Sequence, residues 1–213
     1  MPVEAWVAGD APTPTSVDGV TLSPRGERTR AALLEASEEV FGEVGWERAS
    51  IVKITERAGV SQGTFYRYFL SKQAIFDELV IDLNRRVRRA MAEGSAPGRT
   101  RAEIERGGFE GFFRFTAEHP ALYRVIRQAE FASPTALRLH YERIAAGYRQ
   151  ALQRSMEKGE IASGDPEVLA YALMGIGELI GMRWILWNEE GHMPTEVIDE
   201  LMRFVQRGLE ATS

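Results

Sequence analysis

The apolar residues of this chain recur at three- and four-residue intervals almost from end to end, the period of helices with one buried face. Leu33, Leu34, Val40, Phe41 and Val44 predict a first helix over about 25–44, ended by Gly45, with Trp46 packing beneath the corner. Ile51, Ile54 and Ala58 predict a short second helix opened by Ser50 as its cap. Gly59 follows where a chain leaving a helix often needs positive φ. Ser61 then caps a third helix of about seven residues, too short to stand alone, in which Phe65 and Phe69 share the inward face. A longer helix from Ser71 to about Met91 carries Ile75, Phe76, Leu79, Val80 and Leu83. Beyond it the same period predicts helices over about 100–118, from Pro120 through Phe131, from Pro134 to about Lys158, from Pro166 to about Asn188 and from Thr195 to about Glu210. No strand pattern and no internal repeat interrupts them, so the expected fold is all-α.

Gly94-Ser95-Ala96-Pro97-Gly98 is the clearest break. It divides a helix-turn-helix domain with its linking helix, 25–92, from a helical domain, 99–213. Residues 1–24 hold four of the nine prolines and read as a flexible tail, in which Trp6 and Val7 are the apolar exceptions.

Composition narrows the chemistry. The 213 residues contain no cysteine, which excludes a disulfide framework, a thiolate metal site and a thiol nucleophile. His119, His140 and His192 are scattered without ligand spacing, so no metal and no cofactor are expected. The apolar runs fall short of the roughly 20 residues that cross a bilayer. The N-terminus lacks a basic region before an apolar run, so a cytoplasmic location is expected. Net charge is −5, unevenly spread: residues 25–90 hold 12 Lys/Arg against 10 Asp/Glu, the only segment with a positive balance.

Residues 50–72 concentrate the informative features. With Phe65 and Phe69 turned inward, Gln62, Thr64, Tyr66, Arg67 and Tyr68 are left on the free surface of the third helix. A helical hairpin inside a bundle needs aromatics on one face only; this helix has them on two. Two short helices meeting at a glycine corner, the second with donors and aromatic edges outward, describe a helix-turn-helix recognition element. Lys72 follows Ser71 at the start of the next helix, where an ammonium can face phosphate. The run Arg85, Arg86, Arg88 and Arg89 is denser but lies roughly 20–25 Å further along that helix. It is therefore assigned to a solvated or inter-helix face.

From Arg28 to about Val80 the chain resembles the TetR family of bacterial transcription regulators. The resemblance rests on Ala36, Phe41, Gly45, Ile54, Ala58-Gly59-Val60-Ser61, Gly63-Thr64-Phe65-Tyr66, Tyr68-Phe69 and Ser71-Lys72. Ala49, Val52 and Thr55 depart from the usual pattern, and Val52 stands where a polar residue near DNA is common. The resemblance implies a homodimer whose monomers carry three DNA-binding helices, a linking helix and a ligand-binding helical domain. It implies that Gln62, Gly63, Thr64 and Tyr66 approach the major groove, and that Tyr68, Lys72 and Ser50 hold phosphates. The chemistry agrees: glutamine pairs with adenine, threonine offers a hydroxyl or a methyl, and glycine lets the backbone come close.

For the rest of the chain it implies a four-helix dimer interface, to which Leu173, Ile176, Ile180 and Trp184 of one helix and Leu201, Phe204 and Val205 of the last are assigned; packing within the monomer is the alternative. Two-fold symmetry would then match double-stranded DNA with a palindromic operator. An effector pocket is assigned to Phe109, Phe112, Phe113, Tyr123, Phe131, Tyr148 and Met174, with Arg127 and Glu178 as polar anchors; solid core is the alternative. The expected protein is a repressor released by an apolar or amphipathic small molecule. An enzyme with an incidental helix-turn-helix is the competing class, but no nucleophile–base pair or metal cluster is apparent and no catalytic residue is assigned. A DNA-packaging protein is disfavoured by the acidic balance.

Overall fold

The computed structural model describes residues 16–188 and 191–210; Trp6, Val7 and the rest of 1–15 lie outside the described residues. Every regular element among the described residues is helical. They are α1 (Pro24–Arg48), α2 (Ile51–Ala58), α3 (Gln62–Tyr66), α4 (Lys72–Ser95), α5 (Arg101–Glu118), α6 (Ala121–Ala132), α7 (Pro134–Glu157), α8 (Pro166–Gly181) and α9 (Thr195–Leu209). A π-helical turn, Met182–Leu186, extends α8. Packing groups these helices into two units. One takes in the described residues up to Leu83 together with Ala121–His140, the other Asn84–Pro120 and the described residues from Tyr141 on. The grouping is therefore not one cut along the chain, because α6 belongs with α1 to α3.

In the first unit Ser23 caps α1, its hydroxyl accepting from the Gly26 amide at 3.3 Å. Residues 16–23, assigned to a tail by composition, thus hold a fixed turn and a cap. The α1 core is Leu33, Leu34, Ala36, Val40 and Phe41. At Gly45 the helix breaks (φ 79°, ψ 164°), a conformation that favours glycine. The break turns Trp46 back onto Phe41 and Phe76, with ring centroids 5.8 and 5.0 Å away. It also frees backbone groups that need partners. Helix α6 supplies them. Gln128 Oε1 accepts from the Trp46 amide at 2.5 Å, Gln128 Nε2 donates to the Phe41 carbonyl, and Arg124 donates to the Gly42 carbonyl.

In the second unit the end of α4 crosses α5 with backbones in contact. A Cβ built on Gly94 would lie 2.1 Å from the Gly107 carbonyl oxygen, and one on Gly111 2.3 Å from that of Ala90. Any side chain there would force the helices apart. Thr100 and Glu103 form a capping box that opens α5. The arginine run lies where geometry assigned it: Arg86 sits 2.9 Å from the His119 ring and over Phe115, Arg88 is buried, and Arg89 pairs with Glu93.

Asp165 caps α8 through the Glu167 and Val168 amides. With its π turn this helix spans 21 residues at mean hydropathy 1.4, enough by length and composition to cross a bilayer. That corrects the sequence expectation that every apolar run falls short. The cause is that Glu167, Glu178 and Arg183 are its only charged side chains.

Candidate nucleic-acid interface

The helix-turn-helix is built from local hydrogen bonds. Ser50 caps α2 by accepting from the Lys53 amide at 3.3 Å. Gly59 leaves it in the left-handed region (φ 67°, ψ 31°), and the Val60 amide closes the corner on the Thr55 carbonyl at 3.0 Å. Thr55 is itself buried. Ser61 caps α3, its Oγ 3.2 Å from the Thr64 amide and 3.0 Å from the Thr64 hydroxyl.

The α-helical part of α3 has five residues, where the sequence pattern predicted about seven. The chain tightens after Tyr66 because the amides of Arg67 and Tyr68 reach back three residues, to the Thr64 and Phe65 carbonyls. The tightening turns the Tyr68 ring toward the start of α1, where its hydroxyl would lie 3.5 Å from a Cβ on Gly26. Behind α3, Phe65 and Phe69 are fully buried with centroids 5.6 Å apart. Arg30 lies over the Phe69 ring and pairs with Glu78, so it serves the scaffold.

On the outer surface Gln62, Gly63 and Arg67 are exposed and Thr64 and Tyr68 half-buried. Tyr66 is 50% exposed and stands edge-on to Phe65 at 5.5 Å. Among the described residues, the Ser61 hydroxyl at 3.8 Å is what a Cβ on Gly63 would meet beyond its own helix backbone, so a ligand backbone can approach closely. Gln62, Gly63 and Tyr66 are therefore accessible, with Thr64 and Tyr68 partly so. Two exposed apolar residues belong to the same unit: Val52, which departs from the family pattern, and Leu70, which carried no sequence signal.

Lys72 is placed differently from expectation. Its ammonium donates to the carbonyls of Trp46 at 2.8 Å and Ala49 at 3.1 Å, and lies 4.2 Å from the centroid of a Trp46 ring. The end of α1 at Arg48 leaves those carbonyls open, so two of the three ammonium protons turn inward. Arg57 is likewise engaged, with Glu39 at 2.5 Å and Glu43 at 2.8 Å. The hydrogen bond from Arg57 holds the Glu43 carboxyl below its ordinary range. This ion pair borders an open groove of about 520 Å³ with Val40, Val44, Lys53 and Glu56.

The other assigned residues divide. Phe109 and Phe113 are stacked and buried, Phe112 and Met174 half-buried, and a Cβ on Gly177 would meet the Phe109 ring at 3.1 Å. Glu178 accepts from the Tyr141 hydroxyl. Tyr148 is buried, and burial pushes its hydroxyl up to about 12. Tyr123 is buried in the first unit. Arg127 and Phe131, expected to line the pocket, instead face outward, Phe131 being 86% exposed. They lie on the side of α6 opposite Leu122, Val125, Ile126 and Ala129.

Of the assigned interface, Leu173, Leu201 and Val205 are buried within the chain itself. That is a correction with a simple cause: they share the inner faces of α8 and α9 with Ala170, Ile198, Met202 and Leu209. Ile176, Ile180 and Trp184 are half-buried. The open apolar surface is Val168, Tyr171, Leu179 and Trp187, with Phe204 on α9.

Comparison with known proteins agrees with this geometry. Residues 33–79 match the family model described as bacterial regulatory proteins, tetR family. The chain is 27% identical over 188 residues to the uncharacterized HTH-type transcriptional regulator YdgC of Bacillus subtilis (strain 168), covering 85% of this chain and 94% of that protein. A TetR family transcription regulator from Marinobacter aquaeolei VT8 superposes with TM-score 0.74 at 22% identity, over 88% of this chain and 98% of that one. The regulator FadR from Bacillus subtilis, solved in complex with stearoyl-CoA, gives TM-score 0.73 at 21% identity, over 84% and 99%.

Proposed function

We propose that this chain is a TetR-family regulator that binds DNA through its helix-turn-helix, and that it acts as a one-component repressor: a cytoplasmic homodimer that holds a palindromic operator until a small apolar or amphipathic molecule releases it. The observation that carries this reading is the exposure of Gln62, Gly63 and Tyr66 on a helix fixed from behind by Phe65 and Phe69. Gln62, Thr64 and Tyr66 read base edges, and Gly63 lets the backbone close on the groove. Tyr68 and the Ser50 hydroxyl face the phosphates, which set register. Lys72 acts mainly as the fixture of that surface and has one proton left for phosphate.

The division of labour is an N-terminal DNA-binding domain with α4 as its link, and a C-terminal domain for effector and partner. Leu179 and Val168 on α8, Trp187 just past its π turn and Phe204 on α9 form the face that meets the second subunit, flanked by Ile176, Ile180 and Trp184. Gly175 and Gly208 support this assignment. Each costs about 1 kcal/mol relative to alanine in a helix, and among the described residues a Cβ on either would meet nothing within 4 Å. A partner backbone approaching closely accounts for both.

Phe109, Phe112, Phe113 and Met174 form the apolar wall of the effector site, with Tyr148 and the Tyr141–Glu178 pair as polar groups. The stearoyl-CoA named with the similarly folded FadR supports a long apolar ligand. Selection of bound duplexes from random DNA tests the proposal. It predicts an inverted repeat with half-sites about 34–36 Å apart; recovery of duplexes without symmetry would overturn it.

A further inference from the structure

The recognition helix is held at its front by Ser61 and from behind by Phe65 and Phe69, yet a five-residue helix also ends in open carbonyls. The Arg67 carbonyl accepts from the amide of Val17 at 3.0 Å, from a segment fifty residues earlier. That segment is a closed turn. The Ser16 amide donates to the Val20 carbonyl at 2.8 Å, Gly19 to the Ser16 carbonyl at 2.9 Å, and the Val20 amide to the Ser16 hydroxyl at 3.2 Å. Gly19 adopts φ 75° to make it. Leu22 then lies beside Gly26, where the Tyr68 hydroxyl also arrives; a Cβ on Gly26 would be 3.3 Å from Leu22 and 3.5 Å from Tyr68.

We infer that residues 16–22 are a positioning element of the DNA-reading surface, a turn that clamps the exit of α3 through Val17 and borders Tyr68 through Leu22. The inference rests on α3 being the reader and adds a residue class that the family motif does not contain. Its basis is that Arg67 and Tyr68 follow a helix too short to fix its own C-terminus. An amide presented by an independent turn fixes it, and with it the direction of the Tyr66 ring one residue earlier. Val17 and Val20 are themselves 37% and 64% exposed, so the turn contributes little to the core.

The test uses the full-length protein and a duplex that the wild type itself selects from random DNA, so that a failed selection would count against the reader and not against the turn. Val17→Pro removes the amide donor. Gly19→Val keeps the donor but strains the turn at positive φ. Val20→Ser leaves both intact and serves as control. Fluorescence anisotropy should show that Val17→Pro and Gly19→Val each bind the selected duplex roughly tenfold more weakly, the size of one net hydrogen bond. Val20→Ser should bind as the wild type. Affinity for an unrelated duplex and the thermal midpoint should not move, while amide exchange at Tyr68 and Phe69 should accelerate in both turn variants. Unchanged operator affinity in both variants would overturn the inference. So would an equal loss on both duplexes, which would mark the turn as a backbone contact, or a large fall in thermal midpoint, which would make it a general support of the fold.

Discussion

The ammonium of Lys72 lies 2.8 Å from the carbonyl oxygen of Trp46 and 4.2 Å from the centroid of a Trp46 ring. One residue at the start of α4 thereby caps the end of α1 and holds the carbonyl just before Ser50, the cap of α2. Lys72→Met keeps the aliphatic stem and removes the donor. Hydrogen bonds to charged groups contribute about 1.5–3 kcal/mol, and urea unfolding should show a loss of that order. A lysine used only for phosphate would give unchanged stability and a shallower salt dependence of DNA binding.

Tyr66→Ala separates reading from folding. The ring is half exposed and touches the core only edge-on at Phe65, so circular dichroism and thermal midpoint should stay near wild type. Affinity for the selected operator should fall by on the order of 10–100-fold, about 1–3 kcal/mol. Wild-type affinity in a gel shift would remove Tyr66 from the interface.

Gln128→Leu leaves the Trp46 amide and the Phe41 carbonyl without their α6 partner. Unsatisfied buried groups cost about 1–3 kcal/mol each. Denaturant unfolding should report a loss in that range, and Gln128→Glu, which keeps the acceptor for Trp46, should lose less. Equal losses would mean that the amide contact contributes nothing.

The outer and inner faces of α8 and α9 should respond in opposite ways. Leu179→Glu with Phe204→Glu charges the exposed face, and light scattering should find a folded monomer. Leu201→Ala empties a buried position and should cost about 2–5 kcal/mol while the protein remains dimeric. A charged double variant that still dimerises would place the interface elsewhere.

Tyr148 sets an alkaline limit. Burial raises its hydroxyl from 10.0 to about 12, so the folded chain keeps a proton that the unfolded chain releases. Its contribution is therefore complete below pH 10 and is lost as pH rises from 10 toward 12, at about 1.4 kcal/mol per pH unit. Thermal melts at pH 8 and 11 should show this loss in the wild type, and Tyr148→Phe should flatten it. An equal drop in both proteins would assign the alkaline sensitivity to other groups.

The elements were legible where local chemistry decides them. Ser50, Gly59, Ser61 and Asp165 occupy the caps and corners their side chains suggest, and Phe65 and Phe69 are buried at the predicted spacing. Long-range partners were not legible. Periodicity says that Leu173, Leu201 and Val205 are apolar, but whether an apolar face meets its own chain or a second subunit depends on the tertiary arrangement. Phe131 misled for a related reason: two residues past the buried Ala129 it stands about 200° round the helix, on the face opposite the α6 stripe. Lys72 shows the limit of a motif, which fixes the residue but not the direction of its ammonium. The Val17–Arg67 contact joins segments fifty residues apart through backbone atoms alone, and no side-chain pattern records it.

The glycines where α4 crosses α5 leave that joint without free travel. Gly94, Gly107 and Gly111 bring peptide groups together with no side chain between them to change rotamer and absorb a displacement. A wedge driven among Phe109, Phe112 and Phe113 thus pushes on α5 and, through those peptide groups, on the end of α4 as well.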